Sequence, residues 1–134
     1  MREIKFRAWE RCEKEMSEWT DLITAIDLGY LLDDPEDFEI MQYTGLKDSS
    51  GVEIYEGDIV RYKTELKSPF DGRTKLKVDS IHTVVFLEGA FMTQHINGNS
   101  GFHELRYKAD SSDGSNLEII GNIYENPELL EGNQ

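Results

Sequence analysis

Beyond residue 39 the chain never runs far between turn signals. The stretch "YTGLKDSSGVEIYEGDIV", residues 43–60, carries Gly45, Gly51 and Gly57 at intervals of six, with Asp48, Ser49 and Ser50 clustered before the middle one. Glycine admits positive φ, and Asp and Ser bond their own backbone, so these positions read as chain reversals. What lies between them is too short for ordinary helices and suits strands of about four to eight residues. The same texture recurs in Ile40–Tyr43, Val52–Tyr55, Ile59–Lys63, Thr83–Leu87, Ala90–Gln94 and Glu118–Tyr124, all rich in Val, Ile, Tyr or Phe. Short strands with turns between them predict a mainly β fold, a small barrel or sandwich. In detail, Asp48–Gly51 is expected to turn a hairpin with Val52 and Ile54 facing the core, and Gly57-Asp58 to reverse the chain again. "KSPFDGRTK", "NGNSG" and "KADSSDGSN" read as loops.

The first 39 residues are less uniform. Glu3 to Trp9 alternates, Ile4, Phe6 and Ala8 on one face and Lys5 and Arg7 on the other, which is the period of a half-buried strand. "ERCEKE" turns into a second strand near Met16–Thr20. Met16, Trp19, Ile23, Ile26 and Tyr30 keep helical spacing, but β-branched residues and Gly29 oppose a long helix, so residues 16–30 stay open between a helical turn and a strand. "LLDDPEDFE" breaks regular structure at Pro35 and reads as a solvated linker. The boundary it suggests separates a β-rich amino-terminal arm, residues 1–39, from a barrel domain, residues 40–134. In "NIYENPELL", Asn126 is the expected N-cap and Pro127 the first residue of a short helical turn that closes the domain.

Charge narrows the partners. With 27 acids against 14 bases the net charge is −13, which repels polyanions at long range and keeps the chain in solution. The single Cys12 cannot form an intramolecular disulfide, "MREIKFRAWE" opens on charged residues, and no run approaches the roughly 18 apolar residues of a membrane helix. A cytoplasmic location without membrane contact is the expectation.

No reactive constellation emerges. His82, His95 and His103 stand thirteen and eight residues apart with no His-x-x-x-His and no paired cysteine, which leaves zinc ligation unsupported. Placing Gly114 at the sixth position of an EF-hand loop puts Ala109 and Ile120 where carboxylates are required. "NGNSG" is not a nucleophile elbow, and neither glycine-rich phosphate motif occurs. Catalytic residues, metal ligands and cofactors are all expected to be absent.

One segment stands apart: residues 61–80 carry six bases against three acids. Alternation puts Arg61 and Lys63 on one strand face. Arg73, Lys75 and Lys77 share a face if their segment is extended, which gives a basic hairpin together with Lys67 and with Tyr62 on the opposite face. Three readings stay open: a solvated hairpin whose lysines blunt an edge strand; a nucleic-acid or acidic-partner contact, disfavoured by the overall charge; and pairing with the acidic amino-terminal segment of another copy in a homo-oligomer. The acidic surface also admits an inversion in which the chain mimics nucleic acid and blocks a host DNA-binding protein.

Three blocks, "MREIKFRAWE", "MQYTGLKDSSGVEIYEGDIV" and "IIGNIYENPELL", resemble the YopX family of phage and prophage proteins. The resemblance brackets nearly the whole chain. It implies an SH3-type barrel in the carboxyl-terminal part and self-association, and it carries over no catalytic residue.

Overall fold

A computed structural model describes residues 3–24, 36–98, 101–105 and 116–131. The expected runs become strands, with β3, β5, β6 and β7 longer than their sequence signals and β8 unanticipated: β1 Phe6–Glu10, β2 Glu15–Ser17, β3 Phe38–Lys47, β4 Glu53–Tyr55, β5 Asp58–Lys67, β6 Lys75–Leu87, β7 Ala90–His95, β8 Phe102–Glu104 and β9 Asn116–Asn122. They form two antiparallel sheets, one ordered β2-β1-β3-β4 and the other β8-β7-β6-β5-β9. The mainly β expectation holds.

The open segment resolves partly as helix. After β2 a six-residue helix, α1, spans Trp19–Thr24. The Glu18 carbonyl accepts the Leu22 N–H as the first helical bond, and the Asp21 carboxylate reaches back to accept the Glu18 N–H at 3.4 Å, one half of a capping box. The buried residue of α1 is Leu22, packed with Ala8, Trp19, Phe6, Phe38 and Ile40. Ile23, which helical spacing had placed on one face with Trp19, is 58 % exposed, because it is Leu22 that α1 turns onto the core. Residues 25–35, which include Ile26, Tyr30 and Pro35, lie outside the described residues.

Three ties lock the sheets together. Ser49 N–H donates to Leu117 O at 2.8 Å, and the Asp48 carboxylate accepts the Ile119 N–H at 3.0 Å. Gly57, at φ +88°, sends its N–H to Val84 O at 2.8 Å and accepts the Ile123 N–H at 2.9 Å. A Cβ there would meet Met41 Sδ at 3.2 Å as well as strain the backbone, so glycine is needed twice over. Third, Arg7 of β1 reaches Asp58 at the start of β5, 2.7 Å between Nη2 and Oδ1. A core shared by the sheets results, beside the Ala8–Leu22 cluster, in which Ile54, Val60, Val84, Leu105 and Leu117 draw on both sheets and Leu46, Tyr62, Phe91 and Ile119 close around them. The expected boundary at residues 39–40 falls inside β3, whose start pairs with β1 while Leu46 joins that shared core.

Several local expectations are corrected. Val52 is 52 % exposed, because it precedes β4 and only Ile54 turns inward. Asp58 is not part of a reversal; Glu56 and Gly57 make the turn and Asp58 opens β5. Pro127–Leu130 form a single 3-10 turn as anticipated, but Asn126 gives it no side-chain cap. Its Oδ1 instead accepts the Asn122 N–H at 3.1 Å, and Asn122 Oδ1 organises the chain reversal by accepting from Tyr124 and Glu125 N–H.

Candidate interaction surface

The basic hairpin exists and extends beyond its sheet. β5 and β6 pair from Ile59↔Thr83 to Lys67↔Lys75. β9 flanks β5 only as far as Lys63↔Asn116, and β7 flanks β6 only from His82↔His95 onward. Among the described residues, Thr64–Lys67 and Lys75–Val78 therefore pair only with each other, as a two-stranded ribbon joined by the turn of residues 68–74. Directly opposed residues share a face, so Arg61, Lys63, Lys67, Lys75 and Lys77 all project from one side with Glu65 and Asp79 among them. Tyr62 lies on the other side and packs on the core, as alternation required. Arg73 departs from expectation: it sits in the turn, before β6 begins, and not on the strand face of Lys75 and Lys77.

Charge is distributed unevenly along this hairpin. Near the body, Arg61 holds Asp79 through two bonds, Nε to Oδ1 at 2.8 Å and Nη2 to Oδ2 at 2.7 Å, which raises the guanidinium pKa and lowers that of the carboxyl. Further out Glu65 opposes Lys77 and lies 4.0 Å from Lys75. At the end Lys67 faces Lys75 directly, a like-charge pairing that weakens the ribbon. Positive charge thus accumulates toward the tip.

That tip is ordered by its own hydrogen bonds. Ser68 N–H donates to Thr74 O at 2.7 Å, Gly72 N–H to Ser68 O at 3.0 Å, and Phe70 N–H to Ser68 Oγ at 3.1 Å. Asp71 Oδ1 accepts from the Arg73 and Thr74 N–H groups at 2.8 Å each, and Oδ2 takes the Thr74 hydroxyl. These donors bring the Asp71 carboxyl pKa down to about 2. On this fixed turn Phe70 is 96 % exposed.

Elsewhere the fold gathers residues that sequence spacing kept apart. His82 and His95 oppose each other across β6 and β7 with ring centroids 5.2 Å apart, Ser80 Oγ lies 2.7 Å from His82 Nε2, and the Tyr62 ring stands edge-on at 6.4 Å. His82 is buried on the core side with Ser80, His95 and Tyr62 half-buried around it, while the exposed His103 is on β8, opposite Thr93. No group of three His, Cys, Asp or Glu among the described residues could hold a metal ion. The calcium reading fell largely on residues 109–115, outside the described residues. Cys12 is exposed in the turn after β1, and no helix among the described residues is long and apolar enough to cross a membrane.

Sequence reasoning missed a groove of about 320 Å³ lined by Thr44, Leu46, Ala90, Phe91, Glu104 and Leu105. It draws on β3, β7 and the end of β8, and no local signal joins those segments. Phe91 at its wall packs edge-to-face on Phe86 at 5.0 Å, and Phe86 is 51 % exposed, so the apolar surface continues outside the groove.

A family model described as YopX protein matches residues 5–131 of the chain. Among solved structures, the crystal structure of protein EF1440 from Enterococcus faecalis is similar at 29 % identity and a TM-score of 0.61, over 98 % of this chain and 100 % of that one. No curated protein matches.

Proposed function

The chain belongs to the YopX family, and from that premise we propose that it is a non-catalytic, phage-encoded interaction module of the cytoplasm that self-associates, its five-stranded sheet forming an SH3-like body and its β5–β6 ribbon the contact. The ribbon is the observation that carries this reading. An isolated two-stranded hairpin is marginal in water, Lys67 and Lys75 repel across it, and Phe70 and Leu76 are left exposed. Each of these features costs stability within one copy, and a partner surface recovers it. Residues 67–77 hold four bases and one acid, which leaves the rest of the chain with 26 acids against 10 bases. The surface best matched to the ribbon by charge is therefore the body of another copy.

Sedimentation velocity at micromolar concentration tests this. The expected result is a species larger than one chain, shifted to monomer by Lys67→Glu, Lys75→Glu and Lys77→Glu together. A strictly monomeric wild-type protein overturns the reading.

The ribbon also supports a second reading, because a two-stranded antiparallel ribbon fits the major groove of DNA and its lysines suit phosphates. Retention on DNA or RNA at low salt, falling steeply as salt rises and lost in Lys75→Glu with Lys77→Glu, is the expected signature. Absence of retention at low salt removes it.

A further inference from the structure

We infer that the ribbon tip centred on Phe70 docks in the groove of Leu46, Phe91 and Glu104 on a second copy. The inference rests on the self-association reading and adds the place of contact.

The tip has the properties of a prepared anchor. Phe70 is nearly fully exposed, yet the turn beneath it is fixed by bonds from Ser68, Gly72, Arg73 and Thr74, and Pro69 restricts the approach. Little ordering remains to be done on binding. Aromatic side chains that enter pockets dominate interface energetics, and the molecule has a groove of suitable character. At about 320 Å³ it is lined mostly by apolar side chains, with the exposed Phe86 ring extending it. Pockets that receive a compact apolar group begin near this size, roughly 300 Å³.

Charge agrees with shape. Around Phe70 stand Lys67, Arg73, Lys75 and Lys77, and the one acid of the tip, Asp71, is turned inward on Arg73 and Thr74. The groove has Glu104 in its wall and Glu88 in the neighbouring β6–β7 turn. Lys47, next to Leu46, lies opposite Glu53 in the β3–β4 pairing.

Topology excludes docking within one copy. The tip joins the Lys75 end of β6 and the groove borders the Leu87 end, twelve residues away. At ~3.3 Å per strand residue these ends are about 40 Å apart. A second copy must supply the groove, and two copies can exchange tips reciprocally to close a two-fold dimer.

Cysteine pairing tests the contact in a Cys12→Ser background. Pro69→Cys, exposed beside the intact Phe70, mixed with a mass-tagged Ala90→Cys chain should form a mixed disulfide at least about ten times faster than Pro69→Cys mixed with tagged Glu13→Cys, whose position is exposed on the β1–β2 turn. Independently, Phe70→Ser, at a site too exposed to matter for folding, should raise the dissociation constant of the oligomer about ten- to a hundred-fold. A protein that self-associates but shows no preferential crosslink to Ala90→Cys overturns the docking and leaves self-association standing. A monomeric wild type overturns both.

Discussion

Arg7 illustrates how a single residue can contradict its own pattern. Strand alternation assigns it to the solvent face of β1, yet it is 7 % exposed, with its guanidinium 4.8 Å from the Tyr55 ring centroid and bonded to Asp58. Asp58 is 2 % exposed and accepts in addition the Tyr55 N–H at 2.7 Å. Burial raises the Asp58 carboxyl pKa, and Arg7 and the Tyr55 N–H oppose that rise. Arg7→Leu leaves the carboxylate buried without its counter-ion, which should cost about 3–5 kcal/mol in urea denaturation. The pH dependence has a definite sign. Removing Arg7 lifts the folded-state pKa of Asp58 further, and a raised carboxyl pKa stabilises below the unfolded value and is lost as pH rises through the folded one. The stability deficit of Arg7→Leu should therefore grow between about pH 4 and pH 7, and it should shrink when Asp58→Asn is added. A deficit independent of pH would mean that lost packing, not the charge, accounts for it.

At the scale of elements, what was legible in sequence was what is local. The Asp48–Gly51 turn announced itself because Asp48 bonds the N–H groups of Ser50 and Val52 within four residues; its bond to Ile119, 71 positions on, had no signal. The basic hairpin was legible because period-two spacing fixes a common face, and Arg61, Lys63, Lys67, Lys75 and Lys77 do share one. Arg73 escaped because the Asp71 turn runs through Thr74 and β6 begins at Lys75, two residues later than alternation assumed. The groove and the Ser80–His82–His95 cluster depend on strands meeting across the sheet, so neither could be read along the chain. The ribbon in turn yields a prediction that separates stability from function. Lys67→Glu replaces a like-charge pairing with Lys75 by an attractive one, so amide exchange in Thr64–Lys67 and Lys75–Val78 should slow, by the equivalent of about 0.2–1 kcal/mol. The same change removes positive charge from the tip and should weaken self-association. If the ribbon is only a blunted edge, exchange will slow and association will not change.

Over the whole molecule two electrostatic effects compete, and their ranges differ. Two bodies of net charge −13 repel each other at long range, while contact between a basic tip and an acidic groove acts at short range and partly away from water. Screening separates them, because the Debye length falls from about 30 Å at 0.01 M salt to about 8 Å at 0.15 M and about 3 Å at 1 M. The first drop removes repulsion between bodies whose charges lie far apart and leaves contact ion pairs largely intact. The second reaches the spacing of the pairs themselves. Self-association through the ribbon should therefore strengthen from about 0.01 M to about 0.15 M salt and weaken again toward about 1 M, with burial of Phe70 setting the residual affinity. Nucleic-acid binding through the same lysines would instead fall monotonically over that range, because each phosphate contact releases a condensed counterion. Sedimentation at the three salt concentrations, alongside retention on DNA under the same conditions, distinguishes the two readings without any substitution. A maximum in self-association at intermediate salt supports the ribbon-to-body contact, and association that only declines with salt counts against it.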